Sequence, residues 1–261
     1  MRPKPDHLGS DYASQFSDPS VVAAYGHRPP YPTEVFEILT GLVVEPGTVL
    51  DVGTGTGEIA RPLVERVAAV DAVDPSPGML AKGRRLPGGD HPALTWITGF
   101  AEDAEVRPPY GLIAAASSLH WMDWEVVLPR FSDLLAPDGV LAIVEERPLP
   151  TAWDDPLHEV IVRYSTNRSF RPYDLIVELS SRGLFREVGR QQTASVSFAQ
   201  PVATYVESFH ARNGFSRDRM TAELAAAFDR AVERLVAPFT AEGAISLRVA
   251  AEVIWGVPAP S

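Results

Sequence analysis

Between about Val49 and Glu146, short apolar runs alternate with amphipathic stretches, a rhythm typical of βαβ units on a parallel sheet. The apolar runs predict five strands, at Thr48–Val52, Ala69–Val73, Leu94–Thr98, Gly111–Ser117 and Val140–Glu145. Helices are predicted between them, at Glu58–Arg66, Pro77–Arg85 and Trp124–Leu135. The last helix is followed by Pro137-Asp138-Gly139, a turn signal that predicts its end.

After Pro148 the rhythm changes. A short helix is predicted near Tyr173–Arg182, ending at Gly183, and two long alternating segments predict an antiparallel pair of strands, Phe185–Phe198 and Ala244–Trp255. Two amphipathic helices are predicted between these strands. Their apolar stripes, which are usually core, are Val202, Tyr205, Val206 and Phe209 on the first and Met220, Leu224, Phe228, Ala231 and Leu235 on the second.

These elements predict an α/β fold with a seven-stranded mixed sheet, mostly parallel, in which the last strand is antiparallel. We interpret residues 1–261 as a single domain. Its core is predicted at about 33–148, 172–200 and 243–257, and helices from about 1–32, 149–171 and 201–242 are predicted to lie over the site as a cap.

Composition narrows the functions open to the chain. A formal net charge of −11 argues against a nucleic-acid partner or an anionic lipid surface, and the lack of cysteine excludes thiol nucleophiles and disulfides. No apolar run approaches the roughly 18 residues of a membrane span, so no membrane partner and a cytoplasmic location are predicted. The histidines show no metal-ligand spacing, and no metal is predicted. No oligomeric state is predicted.

Three glycines at alternate positions follow the first predicted strand, in the run VLDVGTGTGEIA. Glycines between a strand and a helix form either a plain tight turn or a nucleotide-type site. The dinucleotide fingerprint G-x-G-x-x-G does not match, because the third glycine, Gly57, comes one position early and Glu58 stands in its place. Asp51 would repel a pyrophosphate, and it favours a cationic ligand.

This run resembles the first motif, D-x-G-x-G-x-G, of the class I, Rossmann-like methyltransferases that use S-adenosylmethionine. The resemblance continues in Val73–Leu80, where an acid ends the second strand. It implies that S-adenosylmethionine is the cofactor and that the residues at the family's positions bind it: Asp51, Gly53, Gly55, Gly57, Asp74, Ser76 and Met79. An acid at the end of this strand can accept hydrogen bonds from both ribose hydroxyls, and Asp74 is expected in that role. Asp71 is the alternative, but it lies inside the strand.

Two further segments carry the resemblance. Gly99–Asp103 resembles the adenine-contacting segment, which implies roles for Ala101 and Glu102; because Phe100 stands where many members have Asp, either Glu102 or Asp103 takes the amino-group contact. Ala24–Pro32 resembles the Y-x-x-x-R-P-x-Y-P segment of a small-molecule subgroup that includes aconitate-type enzymes. It implies a cofactor contact by Tyr25, a contact of Arg28 with a carboxylate of either the cofactor or the acceptor, and an acceptor contact by Tyr31. The alternative is a helix entry held by prolines.

The fourth predicted strand leads into Ser117-Ser118-Leu119-His120-Trp121 at the carboxyl edge of the sheet, where such sheets bind ligands. Ser117 is expected at the cofactor and Trp121 at the acceptor. His120 is the candidate catalytic residue, either as a general base or as a packing contact only. On the predicted cap, Tyr205 and His210 are candidates for the acceptor, and the alternative for the histidine is an exposed helix end.

We therefore expect a methyltransferase that transfers a methyl group from S-adenosylmethionine to O, N or C of a small organic acceptor. A natural-product intermediate of secondary metabolism or a carboxylate fits these features. Two alternatives remain: a protein of the same fold that binds the cofactor without methylating, and an NAD-dependent oxidoreductase.

Overall fold

The computed structural model describes residues 4–171 and 173–260, and the chain divides into two units. The sheet unit comprises residues 31–147, 173–194 and 250–260, and the helical unit comprises residues 4–30, 148–171 and 195–249. Compared with the predicted core and cap, the helical unit also takes residues 195–200 and 243–249. The interpretation of both units as one domain stays a prediction.

Eight strands form in the order of the chain: β1 Thr48–Val52, β2 Ala69–Asp74, β3 Leu94–Thr98, β4 Tyr110–Ala116, β5 Leu135–Pro148, β6 Phe185–Gln192, β7 Val196–Pro201 and β8 Ala244–Pro258. They form an eight-stranded sheet whose main path is β3-β2-β1-β4-β5-β8-β6, and β7 pairs with β8 outside that path. The first five strands of the path are parallel, and β8 runs antiparallel to β6. The predicted number of seven strands is therefore wrong by one, because the segment predicted as one long strand forms both β6 and β7. The predicted α/β fold with a mixed sheet is confirmed.

The α-helices are α1 Ser10–Ala13, α2 Pro19–Ala24, α3 Glu34–Leu42, α4 Ala60–Leu63, α5 Pro77–Gly83, α6 Trp124–Leu134, α7 Asp154–Tyr164, α8 Leu175–Ser181, α9 Val202–His210 and α10 Ala222–Val236. In the sheet unit, α3 and α4 pack their apolar faces on one side of the strands, around Leu39, Leu63 and Val70. Burial of this cluster stabilises the strands whose carboxyl ends carry the loops of the site.

The long strand predicted at Phe185–Phe198 is wrong, because the structure divides it into β6 and β7. The break follows Gln192. Thr193 turns its side chain onto the neighbouring strand, where its hydroxyl oxygen accepts a hydrogen bond from the amide of Ala251 at 3.0 Å. The amide of Ala194 donates to Glu34 at 2.7 Å and so leaves the ladder.

Two other predicted elements have different ends in the structure, and one helix buries a different face. The helix predicted at Glu58–Arg66 is reduced to α4, and β5 begins at Leu135, ahead of the predicted turn, because Leu135 already pairs with Tyr110. Along α10 the buried face is Ala225, Phe228, Val232 and Val236. Of the predicted stripe, Phe228 lies on that face, and Leu224 and Leu235 pack at its margin. Met220 precedes the helix and is buried in the same core, as predicted.

The helical unit has a core of its own. Its largest buried side chains include Trp153, Tyr205, Phe209 and Phe228, which come from α9, α10 and the residue before α7. The strand β7 pairs antiparallel with the first part of β8, with Val196 opposite Val249 and Pro201 opposite Ala244. Both units therefore take residues from β8.

Candidate cofactor-binding and active site

The glycine loop lies between β1 and α4, and all three of its glycines have positive φ, at 65° for Gly53, 58° for Gly55 and 82° for Gly57. A Cβ atom on Gly53 would lie 2.5 Å from Cβ of Ser118, and one on Gly57 would lie 2.5 Å from the Trp96 ring. Both positions thus require glycine for the backbone conformation and for close approach.

Asp74 ends β2 beside this loop. Its Oδ2 accepts a hydrogen bond from the amide of Gly55 at 2.9 Å, and its Oδ1 accepts one from the amide of Ser76 at 2.8 Å. Burial raises the pKa of Asp74, and the two amide hydrogen bonds oppose this shift. Because a carboxylate has about four lone-pair sites, each oxygen can accept one more hydrogen bond, as a pair of ribose hydroxyls would require.

Asp51 is the second buried acid at the loop, with 1% of its surface exposed. The hydroxyl of Thr54 donates to it at 2.5 Å. Burial raises the pKa of Asp51 to about 7, and repulsion from the nearby carboxylates Glu58 and Asp74 adds to the rise. Glu58 already pairs with Arg61 at 3.6 Å. A cationic ligand would relieve the remaining repulsion, so the buried Asp51 beside Asp74 fits an ammonium or sulfonium group.

Ser76 and Met79 follow Asp74 at the start of α5. Ser76 is the N-cap of that helix, and its hydroxyl accepts a hydrogen bond from the amide of Met79 at 3.4 Å. Both side chains are buried. The structure shows a contact between these two residues at the start of α5. Their roles in cofactor binding stay predictions.

The segment after β3 is tied to the start of α6. Glu102 accepts a hydrogen bond from the amide of Asp123 at 2.7 Å, and Asp123 is the N-cap of α6. Ala101 is buried, whereas 62% of the Phe100 surface is exposed. One oxygen of Glu102 is thus engaged within the chain, and its other oxygen is the one that could meet an adenine amino group.

Two adjacent serines leave the end of β4 in different directions. Ser117 has a φ of 49°, in the left-handed region, and its hydroxyl lies 3.3 Å from the hydroxyl of Tyr31. The hydroxyl of Ser118 donates to the carbonyl oxygen of Val52 at 2.7 Å, immediately before the glycine loop. The serines therefore connect the end of β4 to two other segments of the sheet unit.

The candidate catalytic residue, His120, lies in a single 3₁₀ turn, Leu119–Trp121, directly after these serines. Its ring is partly exposed and contacts the ring of Trp121, with 4.7 Å between the centroids. The indole of Trp124 donates to the carbonyl oxygen of Leu119 at 2.9 Å, which anchors the turn on α6. The structure thus places His120 at the carboxyl edge of β4.

Three predicted site residues of the helical unit contact other residues of that unit. The guanidinium of Arg28 lies 5.4 Å from the centre of the Tyr25 ring and donates to its hydroxyl at 3.4 Å. The ring of Tyr205 is in the core, where its hydroxyl accepts a hydrogen bond from the indole of Trp153 at 3.2 Å. Burial raises the pKa of Tyr205.

His210 is fully buried, so the exposed helix end predicted as an alternative for it is wrong. Its Nδ1 lies 2.7 Å from the carbonyl oxygen of Phe215, and its Nε2 lies 2.8 Å from Asp229, which also pairs with Arg217. Because both ring nitrogens have partners within the chain, the geometry gives His210 a structural role rather than the predicted acceptor contact.

Asp71, the alternative to Asp74, is buried and has hydrogen-bond partners of its own. It accepts hydrogen bonds from Tyr110 and from Arg107, each at 2.6 Å. The carboxylate is therefore satisfied by the protein itself, three residues before the end of β2.

Four residues of the site were not predicted as such: Thr54, Glu58, Ser118 and Trp96. Thr54 and Ser118 stand inside the quoted motifs, and their small hydroxyl side chains next to a glycine loop were the available signal. Trp96 carries no sequence signal for this role, because its contact with Gly57 depends on the pairing of β2 with β3.

Within residues 4–171 and 173–260, no three His, Asp or Glu side chains are grouped so that they could hold a metal ion. No helix in the same ranges is long and apolar enough to cross a membrane.

Comparison with known proteins agrees with this geometry. Residues 49–139, roughly a third of the chain, match a family model described as a methyltransferase domain. The chain is 35% identical over 147 residues to an uncharacterised methyltransferase of Mycobacterium bovis, a match that covers 55% of this chain and 58% of the relative. It is 33% identical over 129 residues to a trans-aconitate 2-methyltransferase of Methylobacterium nodulans, covering 48% and 46%. The chain spans about half the length of the curated relatives it matches.

Among solved structures, a proposed type II methyltransferase of Anaeromyxobacter dehalogenans is similar with a TM-score of 0.61 and 24% identity, over 90% of this chain and 99% of that one. A similarity at this level of identity shows the fold.

Proposed function

We propose that this chain, which carries a Rossmann-like methyltransferase domain, is an S-adenosylmethionine-dependent methyltransferase that acts on a small organic acceptor. The observation that carries the proposal is the hydrogen bond between Asp74 and the amide of Gly55, beside the buried Asp51. Here an acid that would bind the ribose diol and a buried carboxylate that would favour a cation lie beside a glycine backbone that a ligand could approach closely.

Each part of the cofactor has a matching group in the sheet unit. Asp74 would hold the ribose hydroxyls, and Asp51 and Glu58 would face the positive charge of the amino acid end. Ala101 and Glu102 would meet the base. A phosphate-bearing dinucleotide fits the same loop poorly, because Asp51, Glu58 and Asp74 would repel its pyrophosphate.

When bound, the cofactor supplies a methyl group on a sulfonium, which is an already activated leaving group. The protein then has to align the acceptor in line with the methyl carbon, to exclude water and, for a protonated acceptor, to remove a proton. We assign that proton to His120, whose turn leaves β4 at the carboxyl edge. Ser117 and Trp121 flank it there.

The acceptor class follows from the relatives. Their names include a trans-aconitate 2-methyltransferase and, at 35% identity over 88 residues, a malonyl-acyl-carrier-protein O-methyltransferase of Anoxybacillus flavithermus. A phosphoethanolamine N-methyltransferase of Haemonchus contortus with a TM-score of 0.53 was solved with S-adenosylhomocysteine. These names support a small-molecule acceptor and the same cofactor here. The choice among O, N and C stays a proposal.

Calorimetric titration with S-adenosylhomocysteine tests the proposal, with NAD as the control ligand. Micromolar binding of S-adenosylhomocysteine alone supports the cofactor, and an acceptor screen that detects its production from S-adenosylmethionine then tests transfer. Binding of NAD alone would contradict the proposal. Cofactor binding without transfer to any acceptor in the screen would favour a non-methylating protein of this fold.

A further inference from the structure

Ser117 is a non-glycine residue in the left-handed region, with a φ of 49°, at the end of a strand that leads to the active site. This conformation is unfavourable for any residue with a Cβ atom, and glycine would adopt it without strain. The backbone conformation alone would favour glycine at this position, so the serine is explained by its side chain. Its hydroxyl lies 3.3 Å from the hydroxyl of Tyr31, 86 residues away along the chain.

Tyr31 is held rigidly enough to serve as a fixed point. It stands between Pro30 and Pro32, whose rings lock their own φ angles and restrict the residue before each of them. The carbonyl oxygen of Pro32 accepts a hydrogen bond from the amide of Val35 at 3.0 Å, which ties the segment to α3. The ring of Tyr31 packs against the apolar core of the sheet unit.

Ser118 ties the same turn to the glycine loop. Its hydroxyl donates to the carbonyl oxygen of Val52, and its Cβ fills the space that a side chain on Gly53 would need. The turn that carries His120 begins at the next residue. The start of that turn is thus held from two sides, by Tyr31 through Ser117 and by the glycine loop through Ser118.

We propose that Tyr31 is a positioning residue, which acts through Ser117 to fix the turn that carries His120 and not by touching the acceptor. The effect on transfer rests on the proposed function, whereas the effect on the turn does not. Because in-line transfer depends on alignment, loss of the Tyr31 hydroxyl should lower the turnover rate and leave cofactor affinity nearly unchanged.

The position of the turn can be measured without an acceptor, by ¹⁹F NMR of protein labelled with 5-fluorotryptophan. Trp121, whose ring contacts His120, is assigned through Trp121→Phe. Its resonance should shift or broaden in Tyr31→Phe and in Ser117→Ala, and Tyr31→Phe/Ser117→Ala should change no more than either variant alone. Tyr12→Phe is the matched control, because Tyr12 also pairs its hydroxyl with a serine, Ser169 at 3.4 Å in the helical unit.

Ser117→Gly separates the hydroxyl from the backbone shape. It retains the left-handed turn and loses the contact with Tyr31, so its Trp121 resonance should match that of Tyr31→Phe. A Trp121 resonance identical to the unsubstituted protein in both Ser117→Gly and Tyr31→Phe would overturn the proposal, and so would additive changes in the double variant.

Titration with S-adenosylhomocysteine and turnover with an acceptor from the screen complete the test. Tyr31→Phe should bind S-adenosylhomocysteine within about threefold of the unsubstituted protein and turn over about 3- to 10-fold more slowly, as expected for one hydrogen bond. An equal loss in both would overturn the positioning role. If the unsubstituted protein binds no S-adenosylhomocysteine, the proposed function fails, and the NMR result still decides whether Tyr31 holds the turn.

Discussion

Oδ2 of Asp74 and the amide nitrogen of Gly55 are 2.9 Å apart, so one hydrogen bond joins the end of β2 to the middle of the glycine loop. Asp74 therefore has two tasks in the proposed site: it shapes the loop, and it presents its remaining lone pairs to a diol. A change in its charge should disturb both.

Asp74→Asn should weaken the binding of S-adenosylhomocysteine about 10- to 100-fold, because an amide cannot accept all the hydrogen bonds that the carboxylate accepts. Calorimetric titration measures this loss. Asp71→Asn is the matched control from the same strand. It should lower Tm by removing contacts with Arg107 and Tyr110 and leave the affinity unchanged. The opposite pattern would move the ribose role to Asp71.

Gly57→Ala should lose both stability and cofactor affinity, because the new Cβ atom would lie 2.5 Å from the Trp96 ring at a φ of 82°. Gly183→Ala is a control with a similar φ of 72° and no atom within 4 Å of the new Cβ. The control should lose about 1–2 kcal/mol of unfolding free energy from backbone strain, and Gly57→Ala about 1–3 kcal/mol more from crowding. Equal losses, measured by urea unfolding, would show that the contact with Trp96 carries no cost.

The pH dependence of stability should carry the signature of Asp51. Its pKa is about 7 in the folded protein and about 4 when the chain is unfolded, so between these pH values the folded state binds a proton that the unfolded state has released. The contribution of Asp51 to the free energy of unfolding should therefore fall as pH rises from about 4 to about 7. Relative to the unsubstituted protein, Asp51→Asn should gain stability over that range, as denaturation at several pH values would show.

Cofactor binding should have the opposite pH dependence. The ammonium group of S-adenosylhomocysteine favours the ionised form of Asp51, so the affinity for this ligand should be several-fold higher at pH 8 than at pH 6. The Asp51→Asn variant should bind more weakly and lose this dependence. A pH slope that persists in the variant would assign the titrating group elsewhere.

His120→Ala should lower the turnover rate at saturating substrate by about 10²–10⁴-fold if the imidazole is the general base, with little change in the affinity for S-adenosylhomocysteine. A collapse of cofactor affinity with an unchanged turnover rate would make His120 a binding residue.

His210→Phe should destabilise the helical unit by about 1–3 kcal/mol, because Asp229 and the carbonyl group of Phe215 lose their partner inside the protein. The affinity for S-adenosylhomocysteine should not change. Thermal unfolding measures the loss of stability, and calorimetric titration measures the affinity. An unchanged Tm with a raised KM for the acceptor would restore the predicted acceptor contact.

The parts of the site that could be predicted depend on neighbours in sequence. The glycine loop, Asp74 and the serines after β4 follow strands whose apolar runs mark them clearly, so both the positions of these strands along the chain and the carboxyl edge could be inferred. The bonds that give these residues their geometry join distant segments, such as Tyr31 with Ser117 and Ser118 with Val52. Spacing along the sequence cannot predict these long-range hydrogen bonds.

The errors have the same origin. The break between β6 and β7 depends on a contact of Thr193 with Ala251, and the burial of His210 depends on Asp229, which lies 19 residues further on in another helix. For α10 the helical repeat was predicted correctly, but the buried face was placed about one residue away from where it lies. Alanines at several positions widen the apolar stripe, so the sequence does not define which part of it is buried.

The strand β8 supplies Ile245 to the core of the helical unit and Ala251 and Val253 to the core of the sheet unit. Neither core is therefore complete until β8 is in place. During synthesis, neither unit can complete its packing while β8 is still inside the ribosome. We therefore expect a nascent chain stalled before Ala244 to be sensitive to protease along both units, and acquisition of resistance in the two units to be concerted.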